Sequence, residues 1–159
     1  ASLIYEKAGF LMLQFPNGRD LLRNPSIEIA TIDTETINGV IEYLTMLGSY
    51  ANLTWFGPRI EPLVSERELY KKTCDYEYVP TENHLLSYTQ LDQHLFNLMS
   101  DSDINYISQN DAYTFSYPLD FGTCKGLLWM DKNHFSRLGE IEFGNRFNLL
   151  KYLDVMGNE

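Results

Sequence analysis

The residues best suited to chemistry lie in one short segment, 129–139, with the sequence WMDKNHFSRLG. An aspartate three residues before a histidine, in a loop just ahead of a helix, can fold back so that its carboxylate accepts a hydrogen bond from one imidazole nitrogen. The second nitrogen is then free to accept a proton from a hydroxyl nucleophile, as acyl transfer requires. We therefore predict that Asp131 orients His134 and that His134 acts as a general base.

Other interpretations of this pair stay open. His134 could be a surface histidine beside a helix N-terminus, and Asp131 could be an ordinary turn residue. Carboxylate and imidazole also suit several divalent ions, so Asp131, His134 and Asp111 could form a metal site. Because nothing else in the sequence supplies ligand spacing, we expect neither a metal nor a cofactor.

Further polar residues follow predicted strands and are candidates for the rim of the site. Asn17, Arg59 and Asp111 each hold such a position, although turn residues without a functional role are also common there. His84 is expected in a loop, and His94 is expected off the apolar face of a helix. We therefore predict that both of these histidines are solvated.

The hydrophobic pattern alternates strands with helices. The apolar run 9–15 predicts a first strand, and residues 53–56 and 105–108 predict two more. Apolar residues from Asp33 to Gly48 recur at steps of three and four, which predicts an amphipathic helix with Asp33 as its N-cap.

Capping patterns predict two further helices. Ser87 and Gln90 have the spacing of a capping box ahead of a second helix, and Ser136 is suited to cap a final helix. Residues 109–126 are expected to form one long loop, with an extended segment at 127–130. The whole pattern predicts an α/β fold of three layers, with a mostly parallel sheet and helices on both faces. Ligand sites of such folds lie at the carboxyl ends of the strands.

Length and composition limit the classes of function. The 159 residues suit one domain, residues 1–159, and 12 Lys plus Arg against 22 Asp plus Glu give a net charge of −10. That charge argues against nucleic acid and anionic membranes as partners. No apolar run is long enough to span a membrane, and the first residues lack the pattern of a signal peptide. Cys74 and Cys124 do not have zinc-site spacing; one disulfide between them stays open, and so does the compartment.

A resemblance to a known family adds to these predictions. The pattern Asp131-x-x-His134-x-Ser136-x-x-Gly139, between an apolar strand and an amphipathic helix, resembles the last conserved block of SGNH (GDSL-type) hydrolases. It is most similar to the SGNH domains joined to bacterial membrane O-acyltransferases, in which a cysteine lies shortly upstream, as Cys124 does here. Residues 53–62, LTWFGPRIEP, resemble their central strand and the Gly-Pro loop that follows it. The similarity spans about residues 9–152, and the terminal block is its specific part.

The resemblance implies a flavodoxin-like SGNH fold and a Ser-His-Asp mechanism. The expected substrates are small esters or acylated carbohydrates, with a membrane-bound acyltransferase as partner domain and the bacterial envelope as location. His134 would be the base and Asp131 its orienter, and Asn17 is a weak match to the family's oxyanion residue.

The family's nucleophile does not have a counterpart in this sequence. It lies in a Gly-Asp-Ser block, which is absent here; the one Gly-Ser pair, Gly48-Ser49, falls between a helix and a strand. We therefore expect the chain to match either a carboxyl-terminal portion of the family, truncated at its amino end, or a divergent member that has lost the nucleophile. By itself it should be inactive as an esterase or O-acetyltransferase. The alternative is a non-catalytic SGNH-like domain that binds a glycan or a protein, which the missing serine and the 11 tyrosines favour.

Overall fold

The computed structural model describes residues 2–16, 28–62, 79–117, 119–131 and 133–147. Strands and helices alternate through much of this part of the chain, as the hydrophobic pattern predicts. A single turn of 3-10 helix spans Gly9–Leu11. The other elements are β1 (Ser2–Glu6), β2 (Leu13–Gln14), β3 (Thr31–Ile32), α1 (Thr34–Gly48), β4 (Asn52–Phe56), α2 (Glu82–Met99), β5 (Asn105–Ile107), α3 (Gln109–Tyr113), β6 (Gly122–Thr123), β7 (Gly126–Leu127) and α4 (Arg137–Arg146).

A parallel sheet of three strands, in the order β1-β4-β5, positions the candidate site. Tyr5 of β1 is paired with Trp55 of β4, which is paired in turn with Tyr106 of β5. Because the strands are parallel, their carboxyl ends meet at one edge of the sheet. The prediction of an α/β fold with a parallel sheet is confirmed at this level.

Helix α1 forms as its sequence predicts. The Asp33 carboxylate accepts a hydrogen bond from the Thr36 amide at 3.1 Å, which satisfies one of the unpaired amides of the first turn. Ile37, Val40 and Leu44 are buried on one face. This face enters the same core as the buried residues of β4 and α2.

The predicted first strand at 9–15 is wrong. That run folds into the 3-10 turn and the short strand β2, which pairs antiparallel with β3. The parallel strand is β1, which precedes the run and has two exposed apolar residues, Leu3 and Ile4. Met12 and Leu13 are fully buried, so the apolar run marks burial correctly, but burial by itself does not distinguish a strand from irregular structure.

The predicted start of the second helix is also wrong. Helix α2 begins at Glu82, and its N-cap is Thr81, whose hydroxyl accepts a hydrogen bond from the His84 amide at 3.2 Å. Ser87 lies inside the helix, where its hydroxyl donates to the Asn83 carbonyl at 2.7 Å and accepts from the Ala30 amide at 2.9 Å. Its contacts therefore join the helix to the segment before β3.

The carboxyl-terminal part of the chain contains more structure than the single loop predicted at 109–126. It holds α3 and a hairpin of β6 and β7, and Trp129 makes an antiparallel bridge with Phe135. The Ser136 hydroxyl accepts a hydrogen bond from the Gly139 amide at 3.1 Å, so its prediction as the cap of the final helix is confirmed.

Two hydrophobic clusters support the fold. The first surrounds Trp55 and includes the buried faces of α1 and α2. The second consists of Phe121, Leu128, Trp129 and Phe143, and it underlies the segment that carries the candidate site. Trp55 and Trp129 are both buried, and each is the largest side chain of its cluster. No helix of the described residues has the length and apolar character needed to cross a membrane.

Candidate active site

The segment that carries Asp131 and His134 is a tight hairpin. The Met130 amide donates to the His134 carbonyl at 2.9 Å, and the bridge between Trp129 and Phe135 closes the base of the hairpin. At the tip, one oxygen of Asp131 accepts from the Asn133 amide at 2.9 Å and from the His134 amide at 2.8 Å. The carboxylate thus stabilises the turn that carries the imidazole.

The same carboxylate contacts the imidazole of His134. Nδ1 of His134 lies 2.8 Å from Oδ2 and 3.0 Å from Oδ1 of Asp131. An ionised carboxylate only accepts hydrogen bonds, so this contact assigns the proton of the neutral ring to Nδ1 and leaves Nε2 as the acceptor. The structure therefore brings the two predicted residues together in the arrangement that a general base requires.

Exposure and electrostatics differ between the two side chains. The imidazole is 61% exposed, whereas the Asp131 side chain is 25% exposed. Partial burial raises the pKa of Asp131, but hydrogen bonds from the Asn133 amide and from the imidazole and amide of His134 outweigh it, and the pKa falls below its ordinary value. Asp131 is therefore ionised at neutral pH and available to stabilise a protonated imidazole.

His134 borders a cavity of about 220 Å³ at the carboxyl edge of the sheet. The walls come from the residues that follow β1 and β4 and from the hairpin tip. The lining residues are Glu6, Lys7, Ala8, Arg59, Glu61, Asn133 and His134. This position agrees with the general location of ligand sites in parallel α/β sheets.

Arg59 joins the sheet to the hairpin. It is 8% exposed, and its Nη1 donates to the Glu6 carboxylate and, at 2.9 Å, to Oε1 of Gln109. Its Nη2 donates to the backbone carbonyl of Asn133. The guanidinium carbon lies 4.2 Å from the centroid of the Phe135 ring, which is within the range of a cation-π contact.

Glu61 supports the opposite wall of the cavity. Its carboxylate accepts hydrogen bonds from the Gly9 amide at 2.9 Å, from the Phe10 amide at 3.2 Å and from the Tyr88 hydroxyl. Burial raises the pKa of Glu61, and the hydrogen bonds from Tyr88 and the two amides, with the charge of Arg59, oppose that rise without cancelling it. Glu61 thereby fixes the chain that leaves β1.

The prediction that His84 is a solvated loop residue is wrong. His84 lies in the first turn of α2, is 3% exposed, and donates from Nε2 to the Glu61 carbonyl at 2.7 Å. Its ring packs against Tyr88 at 4.8 Å between centroids. Burial lowers the pKa of His84, and the hydrogen bond to Glu61 opposes this effect only in part. His94 is partly exposed on α2.

The remaining sequence candidates do not join the site within the part of the chain that the structure describes. Asn17 lies outside the described residues. Asp111 is exposed in the first turn of α3 and is not among the residues that line the cavity. A search of the described ranges finds no group of three or more His, Cys, Asp or Glu side chains that could hold a metal ion.

The cavity does not offer its own nucleophile among the described residues. Its lining includes carboxylate, amine, guanidinium, amide and imidazole groups, but no serine, threonine or cysteine. Ser49 of the Gly48-Ser49 pair follows α1 and precedes β4, which places it at the amino edge of the sheet, opposite the cavity.

Sequence reasoning missed three polar residues of the site: Glu6, Glu61 and Gln109. Glu6 could have been found if the short run Leu3, Ile4 and Tyr5 had been identified as part of the first strand. Gln109 directly follows the predicted third strand, and ligand sites in parallel sheets lie at the carboxyl ends of the strands. Glu61 did not carry a local signal, because its partners lie 27 to 52 residues away.

The arrangement combines an oriented imidazole, an open cavity and a buried cation at one edge of a parallel sheet, which suits proton transfer to or from a bound hydroxyl or water. Comparison with family models, curated proteins and solved structures finds no match to this chain.

Proposed function

We propose that this chain supplies the base and its orienter to an SGNH-like ester hydrolase or O-acyltransferase. The observation that carries the proposal is the Asp131 carboxylate on Nδ1 of His134, with the imidazole bordering an open cavity at the carboxyl edge of the sheet. A carboxylate and an imidazole so arranged are two of the three members of a hydrolytic triad.

The mechanism follows from the state of each group. Nε2 of His134 accepts the proton of a serine hydroxyl as its oxygen attacks the acyl carbonyl, and Asp131 stabilises the imidazolium. The tetrahedral oxyanion collapses when His134 returns the proton to the leaving oxygen, and an acyl-serine remains. His134 then removes a proton from water, or from a sugar hydroxyl, as that oxygen attacks the acyl carbon. It returns this proton to the serine oxygen as the acyl-serine bond breaks, which restores the serine hydroxyl and the neutral imidazole.

The proposal assigns the nucleophile to a serine outside these 159 residues, because the sequence does not contain a Gly-Asp-Ser block. Among the described strands, β1 is at the edge of the sheet, and its Ile4 is 75% exposed. A parallel strand added beside β1 would end near Glu6 and Lys7, which line the cavity. Such an addition would widen the parallel sheet, and the three-layer fold of the family belongs to this proposal.

The substrate class follows from the same resemblance. We propose acylated carbohydrates or small esters, since the cavity is small and six of its seven lining residues have a polar side chain. A membrane-bound acyltransferase partner domain and the bacterial envelope belong to the same proposal. Cys124 is disulfide-bonded, and a disulfide is favoured in an oxidising compartment such as the envelope.

The test uses the protein extended at its amino end to include the serine-bearing segment. We expect it to hydrolyse p-nitrophenyl acetate and to react with a fluorophosphonate probe. His134→Ala should lower the hydrolysis rate by about 10³-fold or more, because the serine loses its proton acceptor. Asp131→Asn should lower it by about 10⁴-fold, because the amide no longer holds the required tautomer.

His94→Ala is the matched control, since His94 lies on α2 and does not line the cavity. It should retain both reactions. Equal rates for His134→Ala and the unaltered protein would refute the assignment of the base.

The second candidate is a binding domain without catalysis, which the lack of a hydroxyl in the described cavity lining favours. Binding of this chain to a glycan array, together with no esterase activity in the extended protein, would support this candidate over the first.

A further inference from the structure

We infer that Arg59 is the positioning residue that holds His134 in register with the carboxyl edge of the sheet. The inference rests on the proposed function for its catalytic consequence. Its structural part does not depend on that function. The contacts of the Arg59 guanidinium, rather than the hydrogen bonds within the hairpin, determine the position of the imidazole relative to the cavity.

The contacts of Asp131 are all local. Its carboxylate bonds to the amides of Asn133 and His134 and to the ring of His134, all within three residues. These bonds fix the tautomer and the shape of the turn. They do not fix the turn against the sheet, because neither partner belongs to a strand of the sheet.

Arg59 makes the long-range contacts that the turn lacks. It contacts both neighbours of His134, bonding to the Asn133 carbonyl on one side and lying 4.2 Å from the Phe135 ring centroid on the other. These contacts cross about 75 residues of sequence. The two flanking residues are therefore held by one rigid, planar group.

The guanidinium of Arg59 is also bonded to residues at the ends of the sheet strands. Arg59 follows the central strand β4, and its Nη1 donates to Glu6 at the end of β1 and to Gln109 at the start of α3. Gln109 in turn donates to Glu6 at 3.0 Å and to the Gly57 carbonyl at 2.7 Å. The guanidinium thus occupies one position relative to the ends of all three strands.

Lysine could not replace these contacts. An ammonium is a compact charge, whereas the guanidinium presents several donors in one plane and stacks on an aromatic ring. With Arg59→Lys, the bond to Asn133 and the stack on Phe135 cannot both be kept. The Asp131 and His134 pair would stay intact, but the hairpin would lose its fixed place.

The first experiment measures turnover per active site in the extended protein. Arg59→Lys should lower kcat by about 10- to 100-fold, the loss expected from a displacement of about 1 Å. KM and the shape of the pH profile should stay unchanged, because the tautomer is still held by Asp131. Fluorophosphonate titration should count the same fraction of active sites, whereas a merely structural role would lower that fraction and leave kcat per site unaltered.

Arg137→Lys is the matched control, since Arg137 is exposed on α4 and pairs with Glu140. It should leave kcat within about twofold of the unaltered protein. If Arg59→Lys also retains kcat per active site, the inference is overturned.

The second experiment is independent of activity and uses the 159-residue chain. Residual dipolar couplings of the amides at 129–131 and 133–136 should fit the same alignment frame as those of β4 in the unaltered protein. In Arg59→Lys the hairpin couplings should shrink while those of β4 persist, and the proton on Nδ1 of His134 should remain visible. Unchanged hairpin couplings would contradict the inference even if the extended protein proves to have no esterase activity.

A third variant covers the case in which Arg59→Lys does not fold. Phe135→Leu retains every hydrogen bond of Arg59 and removes the stack, together with the ring contacts that Phe135 makes with Trp129 and Phe143. It should change the hairpin couplings in the same direction by a smaller amount, and a hairpin that stays in the β4 frame would overturn the inference.

Discussion

The pKa values of Asp131 and His84 are both lowered, but the surroundings stabilise the charged form of Asp131 and the neutral form of His84. Asp131 is partly exposed and receives three hydrogen bonds, so its charged form is stabilised and its pKa is lowered. His84 is buried against Tyr88, so its charged form is disfavoured and its pKa is also lowered. The first residue is thereby kept charged at neutral pH, and the second is kept neutral.

The state of His84 predicts how stability depends on pH. Because its pKa in the folded chain lies below the ordinary value of 6.5, the unfolded chain takes up the proton first as the pH falls. The neutral side chain therefore contributes stability that is present above pH 6.5 and is lost as the pH falls below it. Urea unfolding at pH 7.5, 6.5 and 5.5 should show this loss in the unaltered chain.

His84→Gln is the comparison for this prediction. Glutamine does not titrate and can still donate to the Glu61 carbonyl. The carboxylates are common to both proteins, so their contribution to the pH dependence of stability nearly cancels in the difference. The variant should be less stable at pH 7.5, because it loses the ring contact with Tyr88, and the difference should shrink toward pH 5.5. A difference that stays constant across this range would contradict the neutral, buried state of His84.

At the scale of elements, α4 packs closely against Leu128, the residue just before the hairpin. Its first turn is capped by Ser136, which lies two residues after His134. A Cβ added at Gly139 would lie 1.9 Å from the Leu128 carbonyl oxygen and 2.8 Å from the Leu128 carbonyl carbon. The backbones of helix and hairpin are therefore packed closer than any side chain permits.

This packing predicts opposite effects for two substitutions in one helix. Gly139→Ala should destabilise the chain by about 2 kcal/mol or more, because α4 must move away from Leu128. Gly144→Ala should stabilise it by about 0.5–1 kcal/mol, because it lies on the exposed side of α4 with no described heavy atom within 4 Å of an added Cβ. Urea unfolding measures both, and a neutral Gly139→Ala would mean that the helix does not pack against the hairpin as described.

At the scale of the whole molecule, the site lies where the two hydrophobic clusters meet. Arg59 follows a strand of the first cluster and stacks on Phe135, which packs against the second. The net charge of −10, counted over the whole sequence, leads us to predict that DNA and anionic membranes are not partners. The candidate site therefore draws its residues from elements that belong to both clusters.

The cysteines predict a redox dependence of stability for the whole chain. Cys124 is disulfide-bonded, and Cys74, the one other cysteine in the sequence, lies outside the described residues. Reduction should lower the unfolding free energy by about 2–4 kcal/mol, because the unfolded chain is no longer constrained.

Cys124→Ser provides the internal control. The variant should be as unstable as the reduced chain, and reductant should not destabilise it further. A thiol assay of the denatured, unreduced chain should find no free thiol; two free thiols would contradict the disulfide.

Much of the site could be predicted because its signals are local. The spacing of Asp131 and His134, the cap at Ser136 and the N-cap at Asp33 each involve residues within a few positions of one another, and hydrogen bonds over such distances depend little on the rest of the fold. The start of α2 could not be predicted from its apolar face, because the buried apolar residues of this helix, from Tyr88 to Met99, lie in its later turns.

The sequence by itself determined the alternation of strands and helices, the parallel connection and the orientation of one imidazole by one carboxylate. Only the tertiary structure decided that β1 precedes the apolar run, that His84 is buried, and that Arg59, Glu6 and Gln109 meet beneath the hairpin. The physical reason is the range of the interactions. Periodicity and caps act within a turn or two of the chain, whereas a buried cation finds partners 50 to 74 residues away, which adjacent sequence does not encode.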